Sequence, residues 1–212
     1  MPQLTVEEFK AAVLAKPLEE IVKDHLFSGE AHVFRQRPAD FQLLRNHLAS
    51  RLAITPDNIT VIGSAKTGFS LSPHNFPRAF ADNSDIDVLV VDERLFDAVW
   101  HCLLAWNYPR RHTLGGSDWA WLKRRREELY WGWFVPDRIR FDGLSLPHFL
   151  KPLRNISTAW FNAFRGLGLL PPFAGRDVSG RLYRSWKHAT HYHVEGLRQI
   201  RDLLRDTKRK DL

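Results

Sequence analysis

Cysteine is almost absent from this chain. Cys102 stands alone, so no internal disulfide can form and a disulfide-stapled scaffold is excluded. A reducing compartment is the simpler reading. Cys102 lies in the apolar run 99–104 and reads as core filler rather than as a nucleophile. Long apolar runs are also lacking. None approaches the roughly 20 residues that cross a bilayer, so no membrane association is expected. The start, Met1-Pro2-Gln3-Leu4-Thr5-Val6, has neither a basic segment nor an apolar one, and no signal peptide is expected. A soluble cytoplasmic protein follows. Internal repeats and low-complexity tracts are missing too, which argues against a solenoid or a disordered chain.

Acidic residues are the minority charge. Lys and Arg number 31 against 24 Asp and Glu, a formal net charge of +7. Such an excess attracts polyanions: nucleic acid, nucleotides or an acidic protein. It equally describes a solvated basic surface. Aromatic residues are plentiful, with eight Trp and 14 Phe, enough for a substantial core in 212 residues.

The pattern predicts helices, two strands, helices, one more extended segment and a final helix. Thr5 and Glu8 have capping-box spacing. Pro17 can open a second helix with Leu18, Ile21, Val22 and Leu26 on one face. Asp40 is expected to cap the helix carrying Phe41, Leu44, Leu48 and Leu52. The β-branched run Ile59-Thr60-Val61-Ile62 reads as a buried strand, and Ile86-Asp87-Val88-Leu89-Val90-Val91 as another. Residues 65–84 between them read as a long loop. Asp92 caps a helix with Leu95, Phe96, Val99 and Leu103. Helices are expected to begin at Ser117 and near His148, with an extended stretch over 178–186. A last helix spans about 189–204, ahead of a frayed tail at Lys208. The fold class is α/β (α+β): a small mixed sheet flanked by many helices. Residues 1–39 form a helical lead-in to a core over 40–212, together one compact unit.

The chemistry concentrates in Val61-Ile62-Gly63-Ser64 and Ser84-Asp85-Ile86-Asp87-Val88. Strand side chains alternate, so Asp85 and Asp87 share one face while Ile86 and Val88 enter the core. Two neighbouring carboxylates repel unless a cation lies between them. Mg²⁺ held this way keeps waters and takes further oxygens from a phosphate substrate. Gly63 permits close backbone approach, and Ser64 offers a hydroxyl and an N–H. Lys66 could meet a phosphate or simply face solvent.

These residues resemble the nucleotidyltransferase superfamily typified by DNA polymerase β. Its signature is a strand ending in Gly-Ser, then a strand carrying Asp-x-Asp, then a third carboxylate on a later strand. Gly63-Ser64 and Asp85/Asp87 match the first two elements, over about residues 40–105. The resemblance implies Mg²⁺- or Mn²⁺-dependent transfer of a nucleoside monophosphate from an NTP to an RNA, protein or nucleotide acceptor, with RNA, DNA or an acceptor protein as partners. By analogy it suggests a bacterial antiphage or toxin–antitoxin role. The gap from Ser64 to Asp85 is longer than the family usually shows. The third carboxylate is not evident; Asp142 and Asp177 are the candidates. Without one, the chain reads as a catalytically silent relative that binds nucleic acid or a partner protein.

Two further groups are weighed. The run Lys123-Arg124-Arg125-Arg126 could meet a phosphate or form a solvated face, as could Arg110-Arg111-His112. Trp119, Trp121, Trp131 and Trp133 near that run suit base stacking or aromatic core packing. His188, His191 and His193 are read as structural, since nothing completes a zinc set at standard spacing.

Overall fold

The computed structural model describes residues 3–110, 116–136 and 151–210. Within them the fold is α+β. Four strands form one mixed sheet in the order β1-β2-β4-β3, flanked by helices. Strand β1 spans Ile59–Ile62, β2 Ile86–Val91, β3 Trp133–Phe134 and β4 Val178–Tyr183. β1 runs antiparallel to β2, β2 parallel to β4, and β3 antiparallel to β4.

The two strands expected from β-branched runs form where the pattern places them. Strand β3 escapes the pattern because it has only two residues, too few to show a period. It exists because Trp133 and Phe134 pair with Tyr183 and Leu182.

Both faces of the sheet are used. Val88, Val90 and Leu182 join the main core with Leu44 and Leu48 of α3 (Pro38–Leu52) and Trp160 and Phe164 of α7 (Lys151–Leu167). Gly180 lets α7 approach β4 closely; a Cβ there would stand 2.2 Å from Phe164 Cζ. On the other face Ile62, Leu89, Val91 and Tyr183 pack with Ala189 of α8 (Trp186–Lys210). The N-terminal helices α1 (Val6–Ala15) and α2 (Leu18–Ile21) cover the next stretch of α8, with Phe9, Val13 and Ile21 against Val194, Leu197 and Ile200. Arg201 Nε donates to the Val13 carbonyl across that seam at 2.6 Å.

Several helix boundaries differ from the sequence pattern. The capping box of Thr5 and Glu8 forms as expected, and Asp92 Oδ1 accepts from Leu95 N at 2.7 Å. Asp40, however, does not cap α3. That helix opens at Pro38, whose fixed φ suits a first turn. Asp40 instead lies within the helix and pairs with Arg37 at 3.4 Å. After α2 the backbone continues as a π-helical turn over Val22–Phe27. The expected loop after β1 begins as a short helix, α4 (Gly63–Thr67). Helix α5 covers Glu93–Arg110, and α6 Gly116–Tyr130, opening one residue before Ser117. Helix α8 starts at Trp186 and stays helical to Lys210, longer at both ends than its apolar stripe. His148 lies outside the described residues.

Candidate functional site

The register sets the site. Ile62 pairs with Asp87, and Asp87 with Ser179. The end of β1, the start of β2 and the start of β4 therefore stand level. Because β4 is parallel to β2, the alternation that sends Asp87 to one face sends Ser179 and Arg181 to the same face.

Gly63 turns the chain out of β1 with φ of +65°, a conformation other residues reach only with strain. Its missing side chain leaves room for Asp87, whose Oδ2 would stand 3.0 Å from a Cβ built on Gly63. Ser179 Oγ donates to Asp87 Oδ1 over a long 3.4 Å. Asp87 is exposed toward the cleft. Desolvation by the surrounding protein still raises its pKa above the usual carboxylate value, Arg181 opposes the rise and Asp85 adds to it.

The cleft holds about 1260 Å³. Gly63, Asp87, Ser179 and Arg181 line it, with Tyr130, Trp131 and Trp133 on one side and His188, His191 and Tyr192 of α8 on another. Trp131 and Tyr130 are exposed there and meet edge to face. An opening of this size admits a nucleotide-sized molecule.

Not every expected residue reaches the cleft. Ser64 is half-buried behind Gly63, and Asp85 is exposed at the entrance to β2; the cleft wall includes neither. Lys66 turns the other way. Its buried ammonium donates to the carbonyls of Ser28 and Gly29 at 2.7 and 2.6 Å. Burial pushes its pKa down to about 8. Sequence spacing could not foresee this, because the acceptors come from a loop more than 30 positions earlier.

For the third carboxylate, Asp142 lies outside the described residues. Asp177 is exposed, and its carbonyl accepts from Ile86 N at 2.9 Å, which sets it beside Asp85 at the open end of the β2–β4 pair. Among the described residues, no group of three His, Cys, Asp or Glu side chains is placed to hold a metal ion.

The basic run does not form one face. Lys123, Arg124 and Arg126 are exposed, whereas Arg125 is buried and paired with Glu128 at 2.7 Å. Arg111 and His112 lie outside the described residues. His188 Nδ1 bonds to Ser185 Oγ at 2.7 Å. His193 is enclosed among Phe27, Tyr183 and Tyr192. Burial, reinforced by Arg181, pushes its pKa down to about 3.

Arg181 was not singled out from sequence. Its Cζ lies 4.6 Å from the Trp133 ring centroid and 4.4 Å from that of Tyr192. A lone Arg inside a six-residue strand carries no motif, and the contact with Trp133 exists only through the short β3. No family model, curated protein or solved structure matches this chain.

Proposed function

We propose that this chain is a Mg²⁺-dependent nucleotidyltransferase, moving a nucleoside monophosphate from an NTP to an RNA, DNA, protein or nucleotide acceptor. The observation that carries the reading is the level register of Ile62, Asp87 and Ser179. It brings the Gly63 turn and Asp87 together in one nucleotide-sized cleft.

Asp85 and Asp87 would hold Mg²⁺ or Mn²⁺ together with phosphate oxygens of the NTP. When bound, the ion would neutralise charge that develops on the transferred phosphoryl group. Gly63 leaves the space in which a phosphate can approach Asp87. Tyr130 and Trp131, exposed on the cleft wall, offer ring faces to a base. Asp177, beside Asp85, is the acid in reach to orient an attacking hydroxyl and take its proton; Asp142 is the alternative. The analogy with antiphage and toxin–antitoxin relatives extends to this chain only with that reading.

A second reading is a catalytically silent relative that binds nucleic acid or a partner protein. Ser179 and Arg181 favour it, since they fill the face of β4 beside Asp87 with a hydroxyl and a cation. Incubation with labelled NTPs, Mg²⁺ and cell RNA, DNA or protein separates the two. An active transferase labels an acceptor, and Asp87→Ala abolishes labelling while the fold persists. No label with any of the four NTPs, together with retained binding, overturns the transferase reading. Asp177→Asn and Asp142→Asn in the same assay identify the third acid.

A further inference from the structure

Arg181 is a half-buried cation without an ion-pair partner. No carboxylate among the described residues lies within salt-bridge distance of it, although ten such pairs form elsewhere. Its Nε is buried and bonds to nothing. His193 Nε2 nearby is likewise buried and unpartnered. The hydroxyls of Tyr183 and Tyr192 both turn toward Arg181 and favour its charged form. With no carboxylate paired to it, the guanidinium keeps donor capacity for an anion that enters the cleft.

The rings explain how the charge is held. Trp133 and Tyr192 both place their faces within 5 Å of the guanidinium carbon, which attracts a cation and fixes the plane of the fork. Such a fork presents parallel N–H donors and suits the two oxygens of a phosphate. It opens on the same cleft as Asp87, two positions further along β4 than Ser179.

We propose that Arg181 is the anion receptor of the cleft, a specificity-determining residue that takes a phosphate group of the bound nucleotide directly, without metal. This deepens the nucleotidyltransferase reading and rests on it for the identity of the ligand. Phosphate binding at Arg181 depends on neither an acceptor nor a transfer step.

The test is a calorimetric titration of the full chain in EDTA with ATP, inorganic triphosphate, inorganic phosphate and adenosine. Wild type is compared with Arg181→Met, Arg181→Gln and Asp87→Asn. Methionine fills the space between the two rings with no charge, so Arg181→Met is expected to fold and to melt no lower than wild type without ligand. A purely structural arginine would instead lower the melting temperature of both variants.

ATP and triphosphate should bind wild type without metal and lose about tenfold to a hundredfold in affinity with Arg181→Met. Asp87→Asn should bind ATP in EDTA as well as wild type or better, since it removes a negative charge beside the phosphate. Inorganic phosphate binding as tightly as ATP would assign the site to free phosphate; adenosine should not compete. The proposal is overturned if wild type binds none of the phosphates in EDTA. It is equally overturned if the folded Arg181 variants bind them unchanged. Metal-free ATP binding that depends on Arg181, with no label transferred in Mg²⁺, keeps this proposal and removes the transferase reading.

Discussion

Gly63 and Asp87 are fitted to each other: a Cβ on Gly63 would stand 3.0 Å from Asp87 Oδ2, at a backbone φ of +65°. Two constraints meet at one residue. The turn demands a conformation that costs other residues about 1–2 kcal/mol, and the carboxylate occupies the space a side chain would need. Gly63→Ala should therefore melt lower than wild type and displace Asp87. Nucleotide affinity in Mg²⁺ should fall several-fold in the same variant. A variant matching wild type in thermal melts and in titration would show that neither constraint operates.

Asp87 carries a pH signature. Burial raises its pKa in the fold above the ordinary 3.8, with Arg181 and Ser179 opposing and Asp85 adding. The native state thus holds a proton that the unfolded chain releases. Stability should fall as pH rises from the ordinary carboxylate value through the raised one. Asp87→Asn keeps an acceptor for Ser179 and removes the charge. It should be as stable as wild type below that window and more stable at pH 7. Urea unfolding at both pH values checks this; a less stable Asn variant at pH 7 would contradict it.

Lys66 is expected to matter for stability and not for ligand. Removing its ammonium in Lys66→Met leaves the carbonyls of Ser28 and Gly29 without that donor, at about 1–2 kcal/mol. Burial lowers its pKa to about 8 from 10.5, so the fold binds fewer protons than the unfolded chain between those values. Wild-type stability should rise with pH across that interval, and the Met variant should lose the slope. Nucleotide affinity should stay within about twofold of wild type, because the ammonium points away from the cleft. A large loss of affinity in a folded Met variant would return Lys66 to the binding site.

His193 should make the fold acid-sensitive. Its pKa falls from 6.5 to about 3, through burial first and the charge of Arg181 second. Between those values the unfolded chain takes up a proton that the fold refuses, so stability declines as pH falls through the interval. The groups facing it are Arg181, Tyr183, Tyr192 and Phe27. His193→Phe should flatten the decline, read as a smaller drop in urea midpoint between pH 6.5 and 4.5. An unchanged drop would assign the acid sensitivity to other groups.

Local pattern was enough wherever an element's own residues decide it. Ile59–Ile62 and Ile86–Val91 are strands because β-branched side chains suit a pleated, buried surface. Thr5 with Glu8 and Asp92 cap their helices through bonds spanning three residues, within reach of any local reading. Alternation also predicted that Asp87 leaves the core side of β2, and it lines the cleft, whereas Asp85 lies just before the strand and does not. Pattern did less well at Pro38, where a preset φ outweighed Asp40 as the start of α3, and at Trp133–Phe134, which is too short to show a period.

What remained depended on residues far apart in sequence. The partner that Asp87 receives across the sheet is Ser179, 92 positions later, and only the parallel pairing of β2 with β4 selects it. The same pairing sets Arg181 on the cleft face, and the antiparallel pairing of β3 lays Trp133 beside it. Lys66 was turned from the cleft by carbonyls 37 and 38 positions earlier. From sequence alone came the two strands, the Gly63 turn and the outward side of Asp87, because backbone propensity and side-chain alternation act between neighbours. Tertiary structure alone decided which cation shares the cleft with Asp87. Strand register and the packing of α8 bring Arg181, Trp133 and Tyr192 together, and no local rule encodes either.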